Sequence, residues 1–200
     1  MTDLAQKRAD KEEARIVSEL RKAGFQVDHV SDLFIRPLNY KEAIPILLHR
    51  LPTVEDHALK QEIVRALAVL WARPQAARPL IHEFVNSPDQ RPNGLRWTMG
   101  NALSVVATDD VFDDIVSLFR NKEYGRTREM LALALARMKN PRAVDALIES
   151  LDDEEVAGHA VMALRKMNAK KAESAMRPFT EHPKTWIRNE AKRALEKMKK

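Results

Sequence analysis

The sequence predicts an all-α protein in which helical hairpins stack side by side into an α-solenoid. Three observations carry that expectation. The composition favours helix: Ala, Leu, Glu, Lys and Arg dominate, and glycine occurs 5 times in 200 residues. Ala and the straight-chain residues lose little side-chain freedom on helix formation. An Ala-Leu pair recurs at Ala66-Leu67, Ala102-Leu103, Ala134-Leu135, Ala163-Leu164 and Ala194-Leu195, at spacings of 36, 32, 29 and 31 residues, a period typical of repeat architectures. A second apolar signature precedes the first four pairs, so the repeating unit is a hairpin and not a single helix.

The elements follow in order. Residues 1–38 read as an N-terminal capping helix and connector. The charged segment from Asp3 offers Ala14, Val17 and Leu20 as one contact face and stops at Gly24, since glycine accepts the left-handed conformation that closes a helix. Residues 25–38 form the connector, with a turn of helix at 32–34. A polar outer face is what the end of a solenoid requires. The repeats then occupy 39–200, in units of approximately 39–75, 76–110, 111–142, 143–171 and 172–200.

Within each unit the first helix carries an apolar pair and a third apolar residue three positions on: Leu47-Leu48 with Leu51, Leu80-Ile81 with Phe84, Ile115-Val116 with Phe119, and Leu147-Ile148 with Leu151. The fifth copy, around Met176 and Phe179, is degraded. The second helix carries the Ala-Leu pair. Offsets −7, −3, 0, +1 and +4 from its Ala are apolar in nearly every copy, and at about 100° per residue they share one helix face. Leu59, Ile63 and Leu70 occupy those offsets in the first unit, and Val156, Ala160 and Met167 in the fourth. Helix starts are marked by Asp109-Asp110, Asn140-Pro141, Asp152-Asp153 and His182-Pro183. Short polar side chains cap a helix there, and carboxylates complement its partial positive charge.

The stretch Asn140-Pro-Arg-Ala-Val-Asp-Ala-Leu-Ile-Glu-Ser-Leu-Asp-Asp-Glu-Glu-Val-Ala-Gly-His-Ala-Val-Met-Ala-Leu-Arg-Lys-Met167 resembles a short bacterial HEAT repeat of the type first associated with phycobilisome lyases. The resemblance covers about 39–200 and is strongest from 126 to 168. It implies a right-handed α-solenoid of about five HEAT-like hairpins, with the second helix of each pair lining the concave surface. Such repeats usually carry proline in the middle of the first helix. Pro45 matches, Pro79 falls one place later, and Asp145 departs from the pattern.

The chain offers no catalytic or metal motif. It lacks cysteine, which excludes disulfides, thiolate metal sites and cysteine nucleophiles. His29, His49, His57, His82, His159 and His182 include no pair at the i, i+3 or i, i+4 spacing of helical metal ligands. There is no glycine-rich phosphate loop and no nucleophile elbow. The paired acids at helix starts are explained by capping, and no cofactor is expected. The charged, apolar-poor N-terminus excludes a signal peptide, no run is long enough to span a bilayer, and the expected location is cytoplasmic.

Binding is the remaining expectation. Offsets −5, −1 and +2 point away from the buried stripe, and on the concave face they place Arg65, Trp97, Asn101, Leu133, Met162, Arg165, Asn189 and Arg193. Aromatic, Met and Arg side chains are favoured at interface centres. The competing explanation is that Trp97 and Leu133 fill gaps between neighbouring helices. The leading expectation is therefore a non-enzymatic adaptor or scaffold for a protein or peptide. An insertion between paired helices at 86–94, with Pro88, Pro92 and Gly94, would stand at one edge of the groove, or is simply a variable loop. Residues 160–200 carry twelve Lys or Arg against four Glu, leaving 1–159 at −3 in a chain of net +5. That basic end either binds nucleic acid, with Trp97 available for stacking, or solvates the last helix. The resemblance also suggests a lyase-like chromophore-handling subunit, although fold alone does not carry function.

Overall fold

The computed structural model describes residues 3–88, 91 and 94–199. Among these every regular element is a helix, with no strand. It forms two compact units, residues 1–106 and 107–200. The first holds α1 (Asp3–Lys22), α2 (Asp32–Ile35), α3 (Ile44–Arg50), α4 (His57–Leu67), α5 (Ala77–Asn86) and α6 (Leu95–Val106). The second holds α7 (Phe112–Arg120), α8 (Glu129–Leu135), α9 (Arg142–Glu149), α10 (Ala157–Met167), α11 (Glu173–Met176) and α12 (Thr185–Met198).

In the first unit α3 pairs with α4 and α5 with α6, and α4 packs directly on α6. The apolar stripe explains this arrangement: Leu59, Ile63, Ala66 and Leu67 on α4, and Leu95, Met99, Ala102, Leu103 and Val106 on α6, are all buried. Leu70 breaks the pattern and is 59% exposed. The α4 helix ends at Leu67, so Leu70 opens a 3-10 turn, Leu70–Ala72, and no longer follows the helical stripe. The α1 helix lies on α3 and α2 lies on α4. Its buried residues are Ala9, Ile16, Val17 and Leu20, with Ala14 exposed. The stripe is thus centred on Ile16 and Val17, and Ala14 is turned to solvent. Glu19 of α1 pairs with Arg50 of α3, whose Nε donates over 3.0 Å. At the end of α1, Gly24 has φ +96°. Its N–H donates to the Arg21 carbonyl at 3.0 Å, and the Phe25 N–H donates to Leu20 at 3.0 Å, the paired closure that a left-handed residue permits. Pro45 falls in the first turn of α3, not at mid-helix, where its missing N–H breaks no helical bond.

In the second unit α8, α10 and α12 pack in succession, while α7 and α9 pack on each other and on α8. The stripe residues Thr127, Leu131, Ala134 and Leu135, then Val156, Ala160, Ala163 and Leu164, then Ile187, Ala191 and Ala194, are all buried. Pro141, expected at the first helical position, stands instead at the N-cap of α9 without a side-chain cap, and the Asn140 side-chain oxygen one residue earlier accepts the Arg142 N–H at 3.0 Å. The α10 helix closes on Asn168 in the left-handed conformation, φ 52°. The degraded fifth first helix is broken in two, α11 and a 3-10 turn over Arg177–Glu181 that contains Pro178. Proline there cannot donate to the preceding turn.

Sequence periodicity passed over one repeated device. Six residues before the Ala of four Ala-Leu pairs stands a basic residue: Lys60, Arg96, Arg128 and Arg188, with Ala157 in the fourth copy. Arg96 Nε donates to the Phe84 carbonyl at 3.0 Å, and its Nη2 to Ser87, at the C-terminal end of α5. Arg128 donates to the Phe119 and Gly125 carbonyls at 3.1 and 2.9 Å and to Asp153 and Glu155 at 2.9 and 3.2 Å. Arg188 donates to the His182 and Pro183 carbonyls at 2.7 and 3.1 Å. The last carbonyls of a helix have no partner within it, and at Arg96 and Arg128 a multi-donor cation meets the carbonyls that end α5 and α7 and complements the helix dipole. Lys60 instead reaches Glu83 of α5 at 2.7 Å.

Candidate partner-binding face

Positions −5, −1 and +2 on the second helices fall opposite the buried stripe. In the first unit the structure brings three of the candidate residues together. Arg65 and Ala68 from α4 and its end, with Trp97, Thr98 and Asn101 from α6, line an open depression of about 540 Å³. Thr98 forms part of the lining, is buried, and donates its hydroxyl to the Gly94 carbonyl at 3.1 Å. Asn101 donates its amide to the Trp97 carbonyl at 3.2 Å. Trp97 is half-buried, and Arg65 is exposed. The Arg65 guanidinium makes no hydrogen bond or ion pair among the described residues. The lining therefore holds one cation, one indole and one amide, with no carboxylate.

In the second unit Leu133 of α8 and Met162 of α10 are half-buried. Arg165 pairs with Glu190 of α12 at 2.5 Å, and Arg193 stands 3.7 Å from the same carboxyl group. Asn189 and Arg193 are exposed. Offset reading missed Glu190, which neutralises the arginine that was to serve a ligand. It also missed Trp186, eight residues before Ala194 and 42% exposed. At 100° per residue that offset falls within about 20° of position −1, so a search of one further turn would have found it. Trp186 lies on Gly158: a Cβ added there would sit 2.3 Å from the ring. Its indole also meets His159 edge-on, with centroids 5.5 Å apart. Burial pushes the His159 ring below its ordinary pKa, opposed by the Glu129 carboxylate and reinforced by Arg126.

The insertion after α5 is described at its ends. Ser87 and Gly94 are buried and Pro88 is exposed, while Asp89, Gln90, Pro92 and Asn93 lie outside the described residues. Among the described residues no cluster of His, Asp or Glu could hold a metal ion, and no helix is long and apolar enough to cross a membrane.

The family model for the PBS lyase HEAT-like repeat matches residues 127–153, which run from the start of the third second helix through the fourth first helix. No curated protein matches the chain. Among solved structures, the chain is similar to the crystal structure of an engineered protein, a Northeast Structural Genomics Consortium target, at 20% identity and a TM-score of 0.52. That alignment covers 94% of this chain and 96% of the other, and it speaks to the fold alone. Arg128 and the Ala134-Leu135 stripe lie inside the matched segment, and residues 127–153 of this chain are similar to the PBS lyase HEAT-like repeat.

Proposed function

We propose that the protein is a non-enzymatic adaptor or scaffold, a right-handed α-solenoid of about five HEAT-like hairpins behind the N-terminal cap, which holds a protein or peptide against its second helices. The observation that carries this reading is the depression around Trp97. Residues chosen for pointing away from the core, Arg65, Trp97 and Asn101, line one recess of a size suited to one or two side chains. An indole beside directed polar groups is the composition of an interface centre. Leu133, Met162 and Trp186 give the second unit partly exposed apolar side chains on its own second helices, and these extend the reading.

The nucleic-acid alternative is weaker. Of the basic residues near the C-terminus, Arg165 pairs with Glu190, Lys171 with Asp145, and Arg177 with Glu173, and a cation already paired contributes less to phosphate binding. Among the described residues no arrangement specifically favours a chromophore-handling role.

The reading is tested by capture from extracts of the source cells, with wild type and Trp97→Ala as baits at low and high salt. A discrete protein held by the wild type in salt and lost by the variant supports it. Nucleic acid that elutes as salt rises favours the alternative, and identical captures by both baits refute the use of this face.

A further inference from the structure

Arg65 stands apart from most arginines of its unit. Arg50 is spent on Glu19, Arg73 on the Val105 carbonyl, and Arg96 on the C-terminal carbonyls of α5. Arg65 is exposed at the rim of the Trp97 depression and pairs with nothing among the described residues. Its field reaches Glu62, one turn back, but that carboxyl group is half-buried and turned to the Ser31 backbone. The depression thus presents a single positive charge, held by no hydrogen bond or ion pair among the described residues, together with an indole over an otherwise neutral lining.

From this charge pattern we infer that the depression takes an acidic peptide, an apolar side chain packing on Trp97 while a neighbouring Asp or Glu carboxylate pairs with Arg65. The inference rests on the binding role proposed above and names the chemistry of the partner. A guanidinium offers a carboxylate two parallel N–H donors, and the indole supplies apolar area that a fully charged peptide would leave unused. Charge complementarity also selects against alternatives. A basic segment would meet Arg65 with like charge. A nucleic acid gains its affinity from several cations along its backbone, and this lining contains one.

The test is fluorescence anisotropy on the full chain with three short, capped, fluorescein-labelled peptides: alternating leucine and glutamate, its glutamine isostere and its lysine counterpart. The glutamate peptide is expected to bind about five-fold more tightly than the glutamine one, the scale of one rim charge pair, with the lysine peptide weakest. Arg65→Gln erases that preference and Arg65→Lys keeps part of it. Trp97→Ala weakens the glutamate peptide about thirty-fold, as expected for a central aromatic anchor. Equal binding of the glutamate and glutamine peptides, or a glutamate preference that survives Arg65→Gln, overturns the inference. If that binding is still lost in Trp97→Ala, the binding role itself stands. Tighter binding of a labelled oligothymidylate that depends on Arg65 replaces the carboxylate with phosphate and also overturns it. Failure of all three peptides on the wild type overturns it too, and the capture experiment then decides the binding role separately.

Discussion

Arg128 is 1% exposed, and it reaches four acceptors from three chain segments. A lysine retains the charge but cannot fork to those acceptors, and a buried site that loses donors leaves carbonyls and carboxylates unpaired. Arg128→Lys is therefore expected to cost about 3 kcal/mol in urea unfolding, whereas loss of an exposed pair such as Arg120–Glu149 costs less than about 1 kcal/mol. Equal costs would show that the Arg128 node carries no special weight. Glu62 presents the opposite case. Burial, and then the neighbouring Glu13, push its carboxyl above the ordinary range. A raised folded value means that its contribution is fully present below the unfolded value and is lost as pH rises through the folded one. Glu62→Gln is expected to be neutral or stabilising at pH 7, and to flatten the stability profile on the acid side. A clear loss of stability at pH 7 contradicts that. Tyr40 belongs to the same group: burial pushes its hydroxyl up to about 12. Stability should therefore fall as pH rises from 10 towards 12, and Tyr40→Phe should remove part of that fall.

At the scale of the element, the Ala-Leu stripe made the second helices legible. All five residues at offset −3 and all five at −7 are buried, because a helix long enough to repeat a stripe has one face it must cover. The first helices were legible by their apolar clusters, but their internal form was not. Proline and short polar segments turn their starts or ends into 3-10 turns, as at Lys41–Ala43 and Arg177–Glu181. Propensity does not resolve such turns, because tertiary packing decides them. Helix-to-helix fit was likewise invisible. Gly158 reads as a weak point in α10, yet it is the seat of Trp186, with ring atoms 2.3 and 2.7 Å from where a Cβ would be. Gly158→Ala is expected to lower the melting temperature despite the higher helix propensity of alanine, and to change Trp186 fluorescence. In a Trp186→Ala background the same substitution should cost much less, a coupling readable in a double-mutant cycle. Additive costs would mean that the two residues do not meet. Glu19 and Arg50 make a comparable statement about α1. The hydrogen bond from Arg50 holds Glu19 below the usual carboxylate range, so that contact is lost as pH falls through the lowered value. Hydrogen exchange should therefore show α1 loosening on acidification, and Arg50→Gln should bring the same loosening at neutral pH.

For the molecule as a whole, helical character and the repeat period could be read in the sequence, and the division at 106/107 could not. The contacts that define compact units lie between elements, and no change of composition marks that point. The candidate face was half legible. Periodicity separates outward positions from inward ones, and three outward residues, Arg65, Trp97 and Asn101, share a recess. Periodicity says nothing of which charges pair across helices, so it places Arg165 on the candidate face although Glu190 holds it. If outward positions serve binding and inward ones stability, the two kinds of substitution must separate cleanly. Leu135→Asp places a charge in a fully buried position and should unfold the protein, at a cost above about 4 kcal/mol. The most direct measurement is the melting temperature of Trp97→Ala taken together with its affinity for the captured partner. A melting temperature within about 4 °C of wild type, equivalent to roughly 2 kcal/mol or less in a chain of this size, with partner affinity lost, is the predicted result. A large fall in melting temperature, or affinity unchanged, would assign Trp97 to the packing between helices and contradict the binding face.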